Sequence, residues 1–152
     1  MATGGTDGTV RLWEIHSARQ VAALQGQEGG VWSVALSADG HLLVAGGTDG
    51  TVRLWESESE SEKARSEWRL VATLQGHAAG VWSVALDGDG QLAASGSFDG
   101  TVKLWDVQSR AFLRTLSAER WYEQLDITGL TGVTSAQRAS LLALGAVNHL
   151  SY

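Results

Sequence analysis

Hydrophobic and polar residues alternate in short runs along the first three quarters of the chain. "VWSVAL" occurs at 31–36 and again at 81–86, while "TVRLW" or "TVKLW" ends at Trp13, Trp55 and Trp105. Alternation over five or six residues that include Val, Thr and Trp is typical of half-buried strands. Asp-Gly pairs separate many of the runs, and such pairs favour tight hairpin turns. The pattern therefore predicts an antiparallel meander.

These strands belong to a repeat. "GGTDGTVRLW" stands at 4–13 and at 46–55, and "GSFDGTVKLW" stands at 96–105, so the copies are spaced by 42 and then by 50 residues. An acidic insertion at 56–67, "ESESESEKARSE", accounts for the longer spacing. A period of 42 falls in the range of about 40–45 residues found for four-stranded propeller blades. We therefore expect an all-β fold of four-stranded antiparallel blades, with strands a, b, c and d in each.

Composition and charge exclude several classes of functional site and of binding partner. The 152 residues include 19 Gly but no Pro and no Cys, which excludes disulfides, thiolate catalysis and cysteine-based zinc sites. A net charge of −6 argues against nucleic acid and anionic membranes as partners, because both favour a basic face. The N-terminus does not read as a signal peptide, and no apolar run approaches the roughly 20 residues that span a bilayer. We expect a soluble cytoplasmic protein.

The repeat resembles the WD40 family in the Gly-His pair at 76–77, the Asp-Gly turns, "TVKLWD" at 101–106 and the period. Two departures are that Trp13 and Trp55 are each followed by Glu rather than Asp. The resemblance covers residues 1–117 and implies a partial blade at 1–26, a blade at 27–76 that carries the acidic insertion, and a blade at 77–117.

Resemblance to WD40 blades also implies a buried hydrogen-bond network of His, Ser or Thr, Asp and Trp. In the last blade the four network residues are His77, Ser95, Asp99 and Trp105. The middle blade keeps Asp49 and Trp55 but has Gln27 instead of His and Ala45 instead of Ser. The first blade keeps Thr3, Asp7 and Trp13. The alternative is a hydrolase triad, but a Trp donor has no role there and no Gly-x-Ser-x-Gly surrounds Ser95. We interpret the network as structural and expect the last blade to be the most rigid and the first the least.

Four residues are candidates for binding a protein or peptide partner. The resemblance places the start of strand a and the residue before the turn Asp on the face that WD40 propellers use, and these positions hold Trp32, Thr48, Trp82 and Phe98. Exposed aromatic residues are typical of binding hot spots. The alternative, that Trp32 and Trp82 pack between blades, stays open.

No residue set predicts catalysis, cofactor binding or metal binding. The chain has no P-loop, and its four histidines lack the spacing of metal ligands. "DGDG" at 87–90 has Phe98 where a calcium loop needs Glu, so we interpret it as a hairpin turn. The acidic insertion is expected to be a solvated excursion, with phosphorylation or metal binding as the alternative.

The composition changes in the tail, residues 118–152. Thr134 and Gln137 have capping-box spacing and predict a helix at about 135–144, with Gly145 as its stop. "WYEQLDITGLTGVTSAQRASLLALGA" resembles a segment that follows propellers in bacterial signalling ATPases of the STAND type. The helix would pack on its own blades or on a partner.

About two and two-thirds blades are too few for a closed ring, which needs about four to eight. Because each blade buries its faces only against its neighbours, the chain is part of a longer protein, assembles with copies, or survives as an open stack.

The leading hypothesis is a non-catalytic interaction scaffold or sensor, the C-terminal part of a larger bacterial signalling or defence protein. The alternative is a self-assembling fragment that completes a ring through its open blade faces and binds partners multivalently. A small-molecule site or an enzyme in a central channel is a third hypothesis, without catalytic residues to support it.

Overall fold

A computed structural model describes residues 1–57, 67–117, Thr131 and 134–143. The chain divides into two compact units, Met1–Ser117 and Ala118–Tyr152. The described part of the first unit consists of three antiparallel sheets, which we call blades 1, 2 and 3. The predicted all-β fold, an incomplete set of antiparallel blades with a short C-terminal helix, is confirmed.

Each blade is a meander in which consecutive strands are neighbours. Blade 1 holds β1 (Ala2–Gly4), β2 (Thr9–Glu14) and β3 (Arg19–Gln25); blade 2 holds β4 (Val31–Leu36), β5 (Leu42–Gly47), β6 (Val52–Ser57) and β7 (Trp68–Leu74); blade 3 holds β8 (Val81–Leu86), β9 (Leu92–Ser97), β10 (Thr101–Asp106) and β11 (Ala111–Ser117). Blade 1 is three-stranded because it lacks the strand a that β4 and β8 supply in the other two. Among the described residues, β1 therefore has a free edge.

Irregularities in the pairing set the direction of key side chains. The register of β4 with β5 shifts between Val31 and Ser33, and that of β8 with β9 shifts between Val81 and Ser83. Such a bulge leaves one residue outside the ladder and redirects its side chain. The displaced residues are Trp32 and Trp82.

Neighbouring blades pack face to face, and the exposure of one equivalent Val–Leu pair in each blade shows this packing. Val10 and Leu24 in blade 1, like Val52 and Leu74 in blade 2, are at most 8% exposed. The equivalent Val102 and Leu116 of blade 3 are 40% and 44% exposed. The difference arises because blades 2 and 3 cover the first two pairs, whereas no described blade covers the third.

Glycine on the second strand of each four-stranded blade shows the same asymmetry. A Cβ placed on Gly46 would lie 2.4 Å from Val81 Cγ1 of blade 3, which is closer than real contacts allow. On the equivalent Gly96, the nearest atom would be 3.7 Å away, in the ring of Trp82. Close approach of blades 2 and 3 therefore requires the glycine of blade 2.

The second unit contains helix α1 (Ser135–Ala143). Its capping box is formed, because the Gln137 amide donates to Thr134 Oγ1 at 3.2 Å and the Thr134 amide donates to Gln137 Oε1 at 2.9 Å. The predicted stop at Gly145, most of the segment that resembles the STAND tail, and residues 58–66 of the acidic insertion lie outside the described residues. No described helix is both long and apolar enough to cross a membrane.

Candidate functional site

The structure brings together the four predicted network residues of blade 3. His77 precedes β8, Ser95 lies on β9, Asp99 follows β9 and Trp105 lies on β10. His77 Nδ1 is 2.9 Å from Asp99 Oδ2, and His77 Nε2 is 2.8 Å from Ser95 Oγ. Trp105 Nε1 donates to the same hydroxyl at 2.8 Å. The network therefore joins strands β9 and β10, the turn between them and the loop before β8.

Burial determines what this network can do chemically. The contacts Ser95–His77–Asp99 have the order of a hydrolase triad, but the His77 side chain is 0% exposed and Ser95 is 1% exposed. A nucleophile must reach its substrate, and a hydroxyl enclosed in this way cannot. The indole of Trp105 also takes one side of the hydroxyl. The arrangement satisfies buried polar groups and thereby stabilises the blade.

Asp99 is the charged member of the network. Partial burial raises its pKa, but hydrogen bonds from the Thr101 hydroxyl, the Ala78 amide and His77 outweigh this effect and hold the pKa well below its ordinary value. Thr101 Oγ1 donates to Asp99 Oδ1 at 2.6 Å, and the Ala78 amide donates to Oδ2 at 2.9 Å. The carboxylate is thus ionised at neutral pH and fixes the turn before β10.

Blade 2 holds its turn with other partners. Gln27 occupies the place of His77, but its Nε2 reaches the Ala45 and Thr51 carbonyls only at 3.4 Å, and its buried Oε1 has no hydrogen-bond partner. Asp49 instead pairs with Arg53 at 3.4 Å, where both side chains are 12% exposed. Trp55 is buried at 3% exposure. An ion pair has replaced the histidine network.

Blade 1 combines features of the other two. Trp13 Nε1 donates to Thr3 Oγ1 at 2.9 Å, as Trp105 does to Ser95. Asp7 pairs with Arg11, as Asp49 does with Arg53, and this hydrogen bond, with one from the Thr9 amide, lowers the pKa of Asp7 to about 2. Thr3 and Asp7 are exposed, and Trp13 is only half-buried.

The sequence reasoning missed the two arginines. Arg11 and Arg53 stand four residues after the turn Asp in the blades that lack the histidine, and Lys103 stands there in the blade that has it. Lys103 does not pair with Asp99 but donates to Thr115 Oγ1 at 2.9 Å and lies 5.0 Å from the Phe112 ring centroid. The presence of Arg in "TVRLW" and of Lys in "TVKLW" was the feature of the sequence that could have indicated the ion pairs of blades 1 and 2.

The candidate partner residues are divided between two blades, with Trp32 and Thr48 in blade 2 and Trp82 and Phe98 in blade 3. Trp32, Trp82 and Phe98 are 48%, 56% and 70% exposed. The rings of Trp32 and Phe98 meet edge to face across the blade boundary, with centroids 5.4 Å apart. Thr48 is exposed and donates to the Glu28 carbonyl at 3.3 Å. We call these four residues the aromatic rim.

Trp32 packs between blades and is exposed at the same time. Its ring lies directly over Gly80 of blade 3, because a Cβ placed there would be 2.6 Å from Trp32 Cζ3. Trp82 lies against Gly96 of its own blade instead. Packing between blades therefore applies to Trp32, which contacts the next blade. It does not apply to Trp82, because no described blade lies beyond it.

Sheets of this topology, stacked face to face and each with a turn Asp and a Trp on its third-strand position, define a repeat protein built from propeller blades. The family description "WD domain, G-beta repeat" matches residues 1–14, 18–56 and 68–106. These matches cover more than half of the chain, so the chain belongs to the WD40 repeat family. WD40 repeats in general are non-catalytic scaffolds for protein interaction.

Two curated relatives match a shorter part. The chain is 42% identical over 43 residues to "Guanine nucleotide-exchange factor SEC12" from Rattus norvegicus, and equally to the protein of that name from Mus musculus. Each match spans 28% of this chain and 10% of the relative. The chain thus covers about a tenth of the relatives' length, and the similarity concerns about one repeat.

Proposed function

We propose that this chain is a non-catalytic interaction module that captures a protein or peptide partner on the aromatic rim. One observation carries the proposal, namely three large aromatic side chains at 48–70% exposure on the neighbouring blades 2 and 3, two of them in edge-to-face contact. Because aromatic side chains supply much contact area at little entropic cost, they are the usual anchors of protein interfaces. Hydrogen bonds hold two of the rim residues in place, because Thr48 Oγ1 donates to the Glu28 carbonyl at 3.3 Å and the Phe98 amide donates to the Gly80 carbonyl at 3.0 Å. Such bonds favour a preformed surface.

We further propose that the module is the C-terminal part of a larger cytoplasmic protein of bacterial signalling or defence. The support is the resemblance of the tail to the segment that follows propellers in STAND-type ATPases. The nucleotide-hydrolysing part would lie elsewhere in such a protein.

The test is partner capture by the whole chain from an extract of its source organism, followed by affinity measurement with the partner so identified. Replacing Trp82 and Phe98 by Ala should weaken binding at least about thirtyfold, since even one hot-spot residue contributes about 2 kcal/mol or more. Ile15→Ala is the matched control, because Ile15 is a large apolar residue at 71% exposure that lies outside the rim.

A melting curve accompanies each variant. Unchanged melting with lost binding supports the rim as a partner surface. Binding that survives both substitutions, or a fold that collapses with Trp82→Ala, contradicts it and assigns Trp82 to packing.

A second function, self-association that completes a ring, is favoured by the outer face of blade 3, which no described blade covers. Val102 and Leu116 are 40% and 44% exposed there, whereas their equivalents in blades 1 and 2 are buried by the next blade. Light scattering at several concentrations tests this function. A mass that rises with concentration, and falls to that of the single chain in Val102→Lys, supports it; a monomer at every concentration contradicts it.

A further inference from the structure

Two residues of the aromatic rim form a right-angled corner at the boundary of blades 2 and 3. The ring centroids of Trp32 and Phe98 are 5.4 Å apart, and the angle between the ring planes is 83°. The two side chains are 48% and 70% exposed. In a T-shaped pair the edge of one ring meets a face of the other, so one face of each ring borders the angle between them. We call these two residues the aromatic corner.

A single glycine positions both rings of the aromatic corner. The ring of Trp32 packs over Gly80, because a Cβ placed there would lie 2.6 Å from Trp32 Cζ3. The Phe98 amide donates to the carbonyl of the same glycine at 3.0 Å. The corner is thus fixed by contacts between two blades that the structure describes on both sides. A ligand would meet an arrangement that is already formed, which lowers the entropic cost of binding.

The loops at this end of the blades carry negative charge. In the loops that join the second strand of a blade to the third, or one blade to the next, the only Asp, Glu, Lys and Arg side chains are four carboxylates, those of Asp7, Glu28, Asp49 and Asp99. Asp7 and Asp49 are paired with arginines of their own blades. Neither Glu28 nor Asp99 contacts a described Lys or Arg. These two carboxylates therefore give the surface a net negative charge.

Both of these carboxylates belong to segments that adjoin the aromatic corner. Asp99 follows Phe98 directly in the chain, and its lowered pKa keeps it ionised at neutral pH. The Glu28 carbonyl accepts a hydrogen bond from Thr48 Oγ1 at 3.3 Å. A Cβ placed on Gly80, the glycine beneath the corner, would in turn lie 3.4 Å from Thr48 Cα. Negative charge and exposed aromatic faces are thus combined on one small surface.

We propose that the aromatic corner binds the cationic side chain of a basic peptide segment, with Glu28 as the neighbouring anion. Ring faces carry the negative part of the aromatic quadrupole and attract cations. Arginine suits a right angle best, because its planar guanidinium can stack on one ring and direct its N–H edge at the face of the other. The inference rests on the proposed function, since it names the chemistry of the partner that the aromatic rim captures.

Three labelled peptides test the charge of the ligand. The first consists of four Gly-Ser-Arg repeats, the second has citrulline, the uncharged isostere of arginine, in place of each arginine, and the third has glutamate there. Binding to the whole chain is followed by fluorescence anisotropy at one fixed salt concentration. We expect saturable binding of the arginine peptide, with the citrulline peptide about tenfold weaker and the glutamate peptide weaker still.

Two matched pairs of variants locate the contact. Phe98→Leu keeps an apolar side chain but removes a ring face, and it should weaken binding of the arginine peptide about fivefold, whereas Phe98→Tyr should retain it. Glu28→Gln should weaken this binding about threefold. Glu14→Gln makes the same change in net charge at the other end of blade 1 and should have no effect. Phe98, Glu28 and Glu14 are exposed, so these variants should melt like the unchanged chain.

Several results would overturn the inference. They are the absence of saturable binding of the arginine peptide, equal binding of the arginine and citrulline peptides, or tighter binding of the glutamate peptide. Undiminished binding to Phe98→Leu would overturn it as well. Equal effects of Glu28→Gln and Glu14→Gln would show attraction by net charge alone and would also contradict it.

A further variant separates this inference from the proposed function. Trp82→Ala changes a rim residue outside the aromatic corner, so it should weaken capture of the natural partner but leave the preference for arginine over citrulline unchanged. A rim that captures its partner without preferring arginine defeats only this inference. A preference for arginine at the corner, together with partner capture that survives the rim substitutions, defeats only the proposed function.

Discussion

Blades 2 and 3 follow one plan but are stabilised in different ways. Blade 2 is covered on both sides, so that Val52 and Leu54 are completely buried, but Gln27 replaces the histidine and makes only long hydrogen bonds. On the outer side of blade 3 no described blade covers it, so that Val102 is 40% exposed, but the blade carries the complete network of His77. The difference teaches that packing between blades and hydrogen bonding within a blade are separate sources of stability. A blade can be rich in one and poor in the other.

The largest expected effect is the loss of the histidine from blade 3. His77→Ala leaves the Ser95 hydroxyl and Asp99 without their partner in a buried place, and we expect a loss of about 3 kcal/mol in the free energy of unfolding. Gln27→Ala in blade 2 should cost about 1 kcal/mol or less, because its hydrogen bonds are long. Urea unfolding of both variants checks this ratio; equal losses would break the distinction between the blades.

Packing gives the next effect. Gly46→Ala places a methyl group against Val81 and Val84 of blade 3 and should cost about 2 kcal/mol by overpacking. The identical change at Gly96 meets nothing closer than 3.7 Å and should be nearly neutral. Thermal unfolding of the two variants compares them directly. A loss at Gly96 as large as that at Gly46 would mean that the outer face of blade 3 is covered in solution.

Transplanting the network should produce a smaller gain. The double change Gln27→His with Ala45→Ser gives blade 2 the groups of His77 and Ser95, with Asp49 and Trp55 already in place. We expect about 1 kcal/mol of added stability, the usual net value of a satisfied hydrogen bond. The double variant is compared with each single change by denaturant unfolding. Additive effects of the two single changes would show that no network had formed.

The smallest effect is on pH dependence. The folded-state pKa values of Asp7 and Asp99 are both lowered, to about 2 for Asp7. A lowered pKa means that the stabilisation is present above the ordinary value near 4 and is lost as the pH falls through the folded value. The unfolding midpoint should therefore decline between about pH 4 and pH 2. Asp7→Asn and Asp99→Asn should each flatten this decline, and a variant without any flattening would contradict the assignment for its blade.

Much of the frame could be predicted because strand alternation, Asp-Gly turns and repeat spacing are local properties of the sequence. The meeting of His77, Ser95, Asp99 and Trp105 could be predicted because the resemblance to WD40 blades implies this network. The pairing of Asp49 with Arg53 was not predicted, because the residue type does not reveal which carboxylate a long guanidinium side chain reaches. The double role of Trp32 depends on a bulge and on Gly80 of the next blade, which alternation alone does not reveal.

The central claim is that the histidine network, more than cover by a neighbour, makes a terminal blade rigid. Blades 1 and 3 test it because, within the described residues, each packs against one neighbour only, and blade 1 lacks the histidine and strand a. Site-resolved amide hydrogen exchange of the whole chain is the direct measurement. We predict slower exchange in residues 80–116 than in residues 1–24, and a loss of that difference in His77→Ala. Faster exchange in residues 80–116 than in residues 1–24 would contradict the claim.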